Sequence, residues 1–512
     1  MCTMPESAPD PTTDSFSTWR RILWPVHRHE LRKLLPILFL FFLVTFNYNV
    51  LRIMKDTLVV TAKMSGAEII PFIKVWAMFP SAVVMTALFS FLSNRYSKET
   101  VFYALVAIFA GYFALFLVLL PVQEHLQPGT SADWLARVLP SGFAGLIAMY
   151  RYWLFTLFYV MSELWGSVIH GTLLWGFANQ VTRLHEAKRF YGLYVVGANV
   201  SGVVAGQVSI ALCSNPFYPW LPYGTTAWDQ SILFILLSVL AAAGIAIGLF
   251  RWTVNHVLTD PRHYDLRDAH DEREAQGKIS LMDNFSYLLR SRYLMCIAVI
   301  VLGYNVVINL TEVVWKHEVK LLYPNPQHYN LYMNQVSSIL GVLATLSALL
   351  VAGNAIRVLG WTRTALLTPL LLFLTSLGFF GPFLLPTAML GGLSGGLSGS
   401  MTVPPLIVFF GTLQNCLART AKYTVFDATK EMAFVPLPAD MKINGKAAID
   451  GVGSRLGKSG GSVIHQGLLL LCGTLSASAP WVGLFIVITL LGWMWAVRAL
   501  GAEFAARSQA QR

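Results

Sequence analysis

Charge is scarce in this chain: Asp, Glu, Lys and Arg make up 12% of its 512 residues, about half the share in an ordinary soluble domain. So little charge excludes a water-exposed surface of normal composition, and the 55% of hydrophobic residues points to lipid as the solvent. Cysteine is scarce too. Cys2, Cys213, Cys296, Cys416 and Cys472 are scattered without CxxC spacing, which excludes both a disulfide framework and a cysteine metal site. Catalytic signatures are missing as well. Gly457-Lys458-Ser459 has Val452 where a P-loop needs its first glycine, and the His-Glu pairs at 29, 185 and 317 have Lys33, Arg189 and Leu321 where HExxH needs histidine. No cofactor, metal or enzymatic activity is expected. Glu6, Asp10 and Asp14 precede the first apolar run, a pattern of neither a secretory signal nor an acid-poor transit peptide, so the first helix is expected to stay as an anchor.

What the chain has in abundance is apolar runs. Leu34–Val50, Val101–Val122 and Trp481–Val497 each approach the ~20 residues with which a helix crosses a bilayer. Twelve spans are predicted, at 34–54, 69–93, 101–122, 142–179 (one long or tilted helix), 188–213, 230–251, 291–315, 331–357, 363–387, 390–417, 446–473 and 479–500. The net charge of +11 sits mostly in alternate loops and forms no basic stripe with interleaved aromatics, so nucleic acid is not an expected partner. Arg20, Arg21, Arg28, Arg32 and Lys33 precede span one, Arg95 and Lys98 follow span two, and Arg183, Lys188 and Arg189 follow span four, whereas 214–229 and 388–400 carry no Lys or Arg. The positive-inside rule then places both termini in the cytoplasm of a multi-pass inner-membrane protein.

An internal repeat divides the chain. Tyr48-Asn49-Val50 recurs as Tyr304-Asn305-Val306, and Asp56 falls opposite Glu312 at the same spacing of 256, since 305 − 49 = 256. Lys188, Gly197 and Gly206 correspond to Lys442, Gly451 and Gly460 at a spacing of 254. Because each half holds an even number of spans, the repeats run parallel. The expected fold is an all-α polytopic membrane protein of two six-helix parallel repeats, major-facilitator-like, with its site between the halves. The expected organisation is a cytoplasmic segment 1–33, a first half 34–251, a mixed-charge linker 252–290, a second half 291–500 and a tail 501–512. Such an architecture works by alternating access, and the chain is expected to act as a monomer.

A charged side chain at the centre of a span costs ~2.5–3.5 kcal/mol on insertion scales, so intramembrane ions face a cavity or a partner and mark function. Helical spacing brings Arg52 and Lys55, or Arg52 and Asp56, onto one face of span one; they form either a helix-end ion pair or a phosphate clamp in the central cavity. Lys74 near the start of span two either reaches the interface or helps neutralise an anion. Glu163, flanked by long apolar stretches, either pairs with a cavity lysine between transport steps or takes up a proton. Glu312 lies four residues before Lys316, a helix-end pair in its bland reading and a site residue through its repeat partner Asp56. In 442–466, Lys446, Asp450, Arg455, Lys458 and His465 sit among Gly, Ala and Ser. Small residues let a ligand approach closely, and several cations suit a polyanionic cargo. Trp165, Trp175, Phe177 and Tyr304 are read first as packing groups and second as stacking platforms.

The motifs along the whole chain resemble the non-mitochondrial ATP/ADP translocases, or nucleotide transporters, of obligate intracellular bacteria and plastid envelopes. The resemblance rests on Phe46–Asp56 with Thr57–Ala62, Ser65–Glu68 with Ile70–Lys74, Glu163–Ser167, Trp175–Asn179, Asn309–Glu312, Phe426–Pro436, Gly445–Asp450 and Gly457–Gly461. It implies ATP, ADP and other nucleoside triphosphates as cargo, and it places the family's four important charges on Lys55, Glu163, Glu312 and Lys446. With the bilayer argument it gives Lys55, Lys446, Arg52, Lys74 and Lys458 as phosphate-binding candidates, and Glu163, Glu312, Asp56 and Asp450 as coupling or gating candidates. Exchangers of the family commonly read Leu-Arg-Asp-Thr-Lys-Asp where this chain has Leu51-Arg52-Ile53-Met54-Lys55-Asp56. Members altered there resemble proton-coupled net importers, so protons join the expected partners. Strict ATP/ADP exchange and a membrane-embedded enzyme are the alternatives.

Overall fold

The computed structural model describes residues 26–182, 184–258, 291–350, 352–384, 403–438, 441, 445–446, 449 and 454–510. The start of the predicted span at 390–417, most of 446–453 and the predicted linker from 259 to 290 lie outside the described residues. Among the described residues the first series of helices is α1 Leu31–Thr61, α2 Ile69–Arg95, α3 Lys98–Leu126, α4 Ser141–Arg151 with Trp153–Val181, α5 Leu184–Cys213 and α6 Ala227–His256. The second series is α7 Arg292–Leu322, α8 Pro326–Leu350, α9 Ala352–Leu384, α10 Val403–Ala421 continuing through Lys422–Phe426 and Asp427–Phe434, α11 Ser454–Cys472 and α12 Leu475–Ala510. Among the described residues there is no strand, as a chain in lipid requires unless it closes a barrel.

Eight of these helices are long and apolar enough to cross a bilayer unbroken, and α4 is a ninth if its two pieces count as one span. The sequence predicts α4 as one long or tilted helix. Instead it bends by 82° at Tyr152, whose φ/ψ of −100/47 leaves the helical region. The Tyr152 hydroxyl donates to the Lys63 carbonyl in the α1–α2 turn, and Arg151 pairs with Asp133 of a short helix between α3 and α4. These contacts fix the break.

α1 and α7 form the centre. In the most apolar window of each, 72% of residues are buried, against 6% in α2. α1 packs on α5 and α6, and α7 packs on α11 and α12, the same neighbours displaced by one six-helix repeat. The seam between the halves is built by α5 on α8 and by α2 on α11. Gly206 makes the first contact possible, because a Cβ there would meet the Ser338 hydroxyl of α8 at 2.1 Å and the Asn334 carbonyl oxygen at 3.0 Å. Large side chains such as Val118, Val84 and Leu471 stand outward, and lipid is their natural solvent.

Candidate functional site

α1 is apolar until its last turns, where Arg52, Lys55 and Asp56 enter the seam; α7 is its repeat and brings Glu312 and Lys316 to the same level. Five ion pairs join six charges into one chain. Glu163 of α4 accepts from Lys55 at 3.0 Å, Lys55 reaches Asp56 at 3.1 Å, and Asp56 accepts from Lys316 at 2.7 Å. Lys316 also holds Glu312 at 2.9 Å, and Arg419 of α10 holds Glu312 at 3.0 Å. The signs alternate from end to end and sum to zero. The side chains of Lys55, Asp56 and Lys316 are at most 5% exposed, whereas Glu163 at the end of the chain is 35% exposed. Lys55 Nζ also lies 3.6 Å from the centre of the buried Tyr159 ring, a cation–π contact. Desolvated charges survive only when paired and hydrogen-bonded, and here most groups have two opposite charges.

The repeat relates the two ends of this chain. Glu163 and Arg419 are separated by the same 256 positions as Asp56 and Glu312, with the sign exchanged between Glu163 and Arg419, whereas Lys55 and Lys316 fall opposite the uncharged Thr311 and Val60. Both ends adjoin a widened helix. Trp165–Leu174 and Lys422–Phe426 are π-helical, and so is Ile73–Met78, which carries Lys74. π-helical turns inside α-helices are frequent at functional sites.

Around the charges lies a cavity lined by Arg52, Asp56, Glu312, Ser337, Asn415 and Arg419, among others. Arg52 donates to the Ser337 hydroxyl at 3.3 Å and lies over the Tyr48 ring; Asp56 is taken by Lys55 and Lys316 instead of by Arg52. Lys74 crosses the seam to Asn309 of α7 at 2.8 Å. Lys446 is half exposed and pairs with Glu431 of α10, away from the six-charge chain. The backbone of Lys458 belongs to α11, but its side chain, like all of Asp450, lies outside the described residues. Trp165, Trp175, Phe177 and Tyr304 pack against Phe109, Phe41, Phe250 and Phe426 respectively.

The structure adds Arg419, and it makes Lys316 a bridge between halves as well as Glu312's neighbour in α7. A signal for Arg419 exists in the sequence: it is the repeat counterpart of Glu163. Among the described residues no cluster of His, Cys, Asp and Glu has the form of a metal site.

The model of the TLC ATP/ADP transporter family matches residues 10–504. The chain belongs to the TLC ATP/ADP transporter family. Its relatives include the ADP,ATP carrier protein 1 of Chlamydia muridarum, 43% identical over 97% of this chain and 93% of that protein, and the chloroplastic ADP,ATP carrier protein 1 of Arabidopsis thaliana, 39% identical over 93% and 74%. Among solved structures it is similar in fold to a bacterial homologue of the iron transporter ferroportin in an inward-facing state (TM-score 0.56, 13% identity, 92% of this chain and 100% of that one). It is also similar to a D-xylose-proton symporter (TM-score 0.51, 14% identity, 91% and 97%). This member of the ATP/ADP transporter family is therefore a multi-pass membrane transporter of major-facilitator-like fold and not an enzyme.

Proposed function

We propose that this chain imports ATP and other nucleoside triphosphates across the bacterial inner membrane by alternating access coupled to protons, with both termini cytoplasmic and the monomer as the working unit. The observation that carries the reading is the buried, alternating charge chain across the seam. In it Glu163, Asp56 and Glu312 act as internal counter-ions for cations that the phosphates of a nucleotide recruit in their turn. Arg52, Lys55 and Lys74 bind phosphate in the seam, Lys446 and Lys458 receive it from the α10–α11 side, and Asp450 joins the acids in coupling. The halves 34–251 and 291–500 rock about this site, and the linker 252–290 spans them.

Proton coupling has a physical motive. An ATP tetra-anion entering against an inside-negative potential of ~100 mV faces ~2.3 kcal/mol per charge, so uptake needs either counter-exchange or co-transported protons. Ile53 and Met54 stand where exchangers of the resemblance carry an acid and a hydroxyl, which favours protons. Strict ATP/ADP exchange is the second reading, favoured by the relatives' names as ADP,ATP carrier proteins. A panel of unlabelled nucleotides set against labelled ATP at several pH values tests the cargo. Inhibition by several nucleoside triphosphates, strengthening with acid, is expected; a panel in which no nucleotide competes sinks the reading.

A further inference from the structure

His465 of α11 is 1% exposed, and neither of its ring nitrogens has a hydrogen-bond partner among the described residues. A neutral imidazole always presents one N–H donor and one bare nitrogen, so both are left without a protein partner in a buried seam, an arrangement that proteins rarely keep without use. The surroundings are polar and built from both halves. Lys74 of α2 donates to Asn309 of α7, and Asn309 donates to Ser462 at 3.2 Å, one turn before His465 on the same face of α11. The next residue, Gln466, donates to the Pro71 carbonyl at 2.9 Å and accepts from Trp76 at 3.3 Å. His465 thus sits where α2 and α11 slide against each other.

Among the described residues, Lys74 is the charged group tied to this turn of α11, through Asn309 and Ser462. On α7, Glu312 and Lys316 are engaged with Asp56 and Arg419, His317 with Ser476 and Lys320 with the Ser65 carbonyl. Glu318 lies on the opposite face of α7, with Thr311 and Trp315, which contact Gln414 and Thr412 of α10. α12 carries no charge from Leu475 to Val497, and Ser141–Phe143 of the α4 entrance carries none.

We propose that His465 is the proton-carrying site of this transporter, loaded only when an anion occupies Lys74. This rests on the proton-coupled reading above and names its site. With Lys74 uncompensated, a second positive charge on His465 is repelled. When a phosphate oxygen binds the Lys74 ammonium, that repulsion is cancelled and the bare ring nitrogen accepts a proton from water on the loading side. Release of the phosphate reverses the order and returns the proton to water on the other side. By linkage the proton strengthens nucleotide binding by the factor with which the nucleotide strengthens proton binding. Glu163 and Glu312 are poorer carriers, because protonating either leaves Lys55 or Lys316 undercompensated.

The test compares wild type with His465→Gln in proteoliposomes, measuring ATP uptake driven by an acid exterior and ATP/ADP counterflow without a gradient. In the variant, gradient-driven uptake should fall by about tenfold or more, within the usual range of coupling factors, and its rise with external acid should flatten, while counterflow falls by a far smaller factor. Equal loss in both assays, or an unchanged pH profile, overturns the assignment to His465. A wild type indifferent to the gradient overturns the proton-coupled reading itself. If the variant does not fold, the wild type suffices: ATP added to the purified transporter in weak buffer, at a pH where ATP is fully ionised, should draw protons from the medium, and no uptake overturns the proposal.

Discussion

Lys316 holds Asp56 of one half and Glu312 of its own at 2.7 and 2.9 Å with a side chain only 2% exposed, so it is the residue through which the halves share charge. Removing one member of a buried network leaves a charge without compensation, at a cost of about 3–5 kcal/mol. Lys316→Met is therefore expected to lower the thermal stability of the detergent-purified protein and abolish uptake. Adding Asp56→Asn restores neutrality. The double variant should be less destabilised than Lys316→Met alone yet still inactive, because the cation that phosphates recruit is gone. Equal or greater destabilisation in the double variant would mean that the two side chains are not coupled. In the sequence the chemistry of these residues is plain, since a charge within an apolar span needs a reason. Their partners are not, because Asp56 and Lys316 are separated by 260 positions and only packing decides which cation meets which acid.

Helices were the most legible elements, for the physical reason that lipid permits so few alternatives. Two features of them were not. The 82° break in α4 depends on Tyr152 and Arg151 finding Lys63 and Asp133, and no proline or glycine announces it. The π-helical turns after Glu163 and Arg419 share no compositional mark, since Trp165–Leu174 holds Gly166 and Gly171 whereas Lys422–Phe426 holds no glycine. The α5–α8 contact offers a test at this scale. Gly206→Val places branched carbons against the Asn334 carbonyl, 3.0 Å from the Cβ position. Overpacking of this kind costs about 1–3 kcal/mol, and here it should spread the seam and slow transport. Uptake by a membrane-inserted Gly206→Val protein at the wild-type rate would show that α5 and α8 need not approach so closely.

At the scale of the whole molecule, four cross-half bonds gather at one end of the bundle, where α1 and α7 finish. Asp56 meets Lys316, Asn330 donates to Thr57 at 3.0 Å, Lys320 donates to the Ser65 carbonyl and Gln327 to the Cys213 carbonyl. That end is closed in this structure, and alternating access requires it to open. With cysteines at positions 57 and 330, oxidation should cross-link the halves and stop uptake, and a reductant should restore it; continued transport by a fully cross-linked protein would contradict the rocking of the halves. Two-fold organisation was readable from the spacings of 256 and 254, whereas which end is closed is a property of packing alone. The central claim, that a nucleotide is carried inward together with protons through this charged seam, is tested most directly by labelled ATP uptake into ADP-free proteoliposomes, with and without an acid exterior. Accumulation driven by the gradient is the result predicted. Uptake that requires internal ADP and ignores the gradient would contradict it.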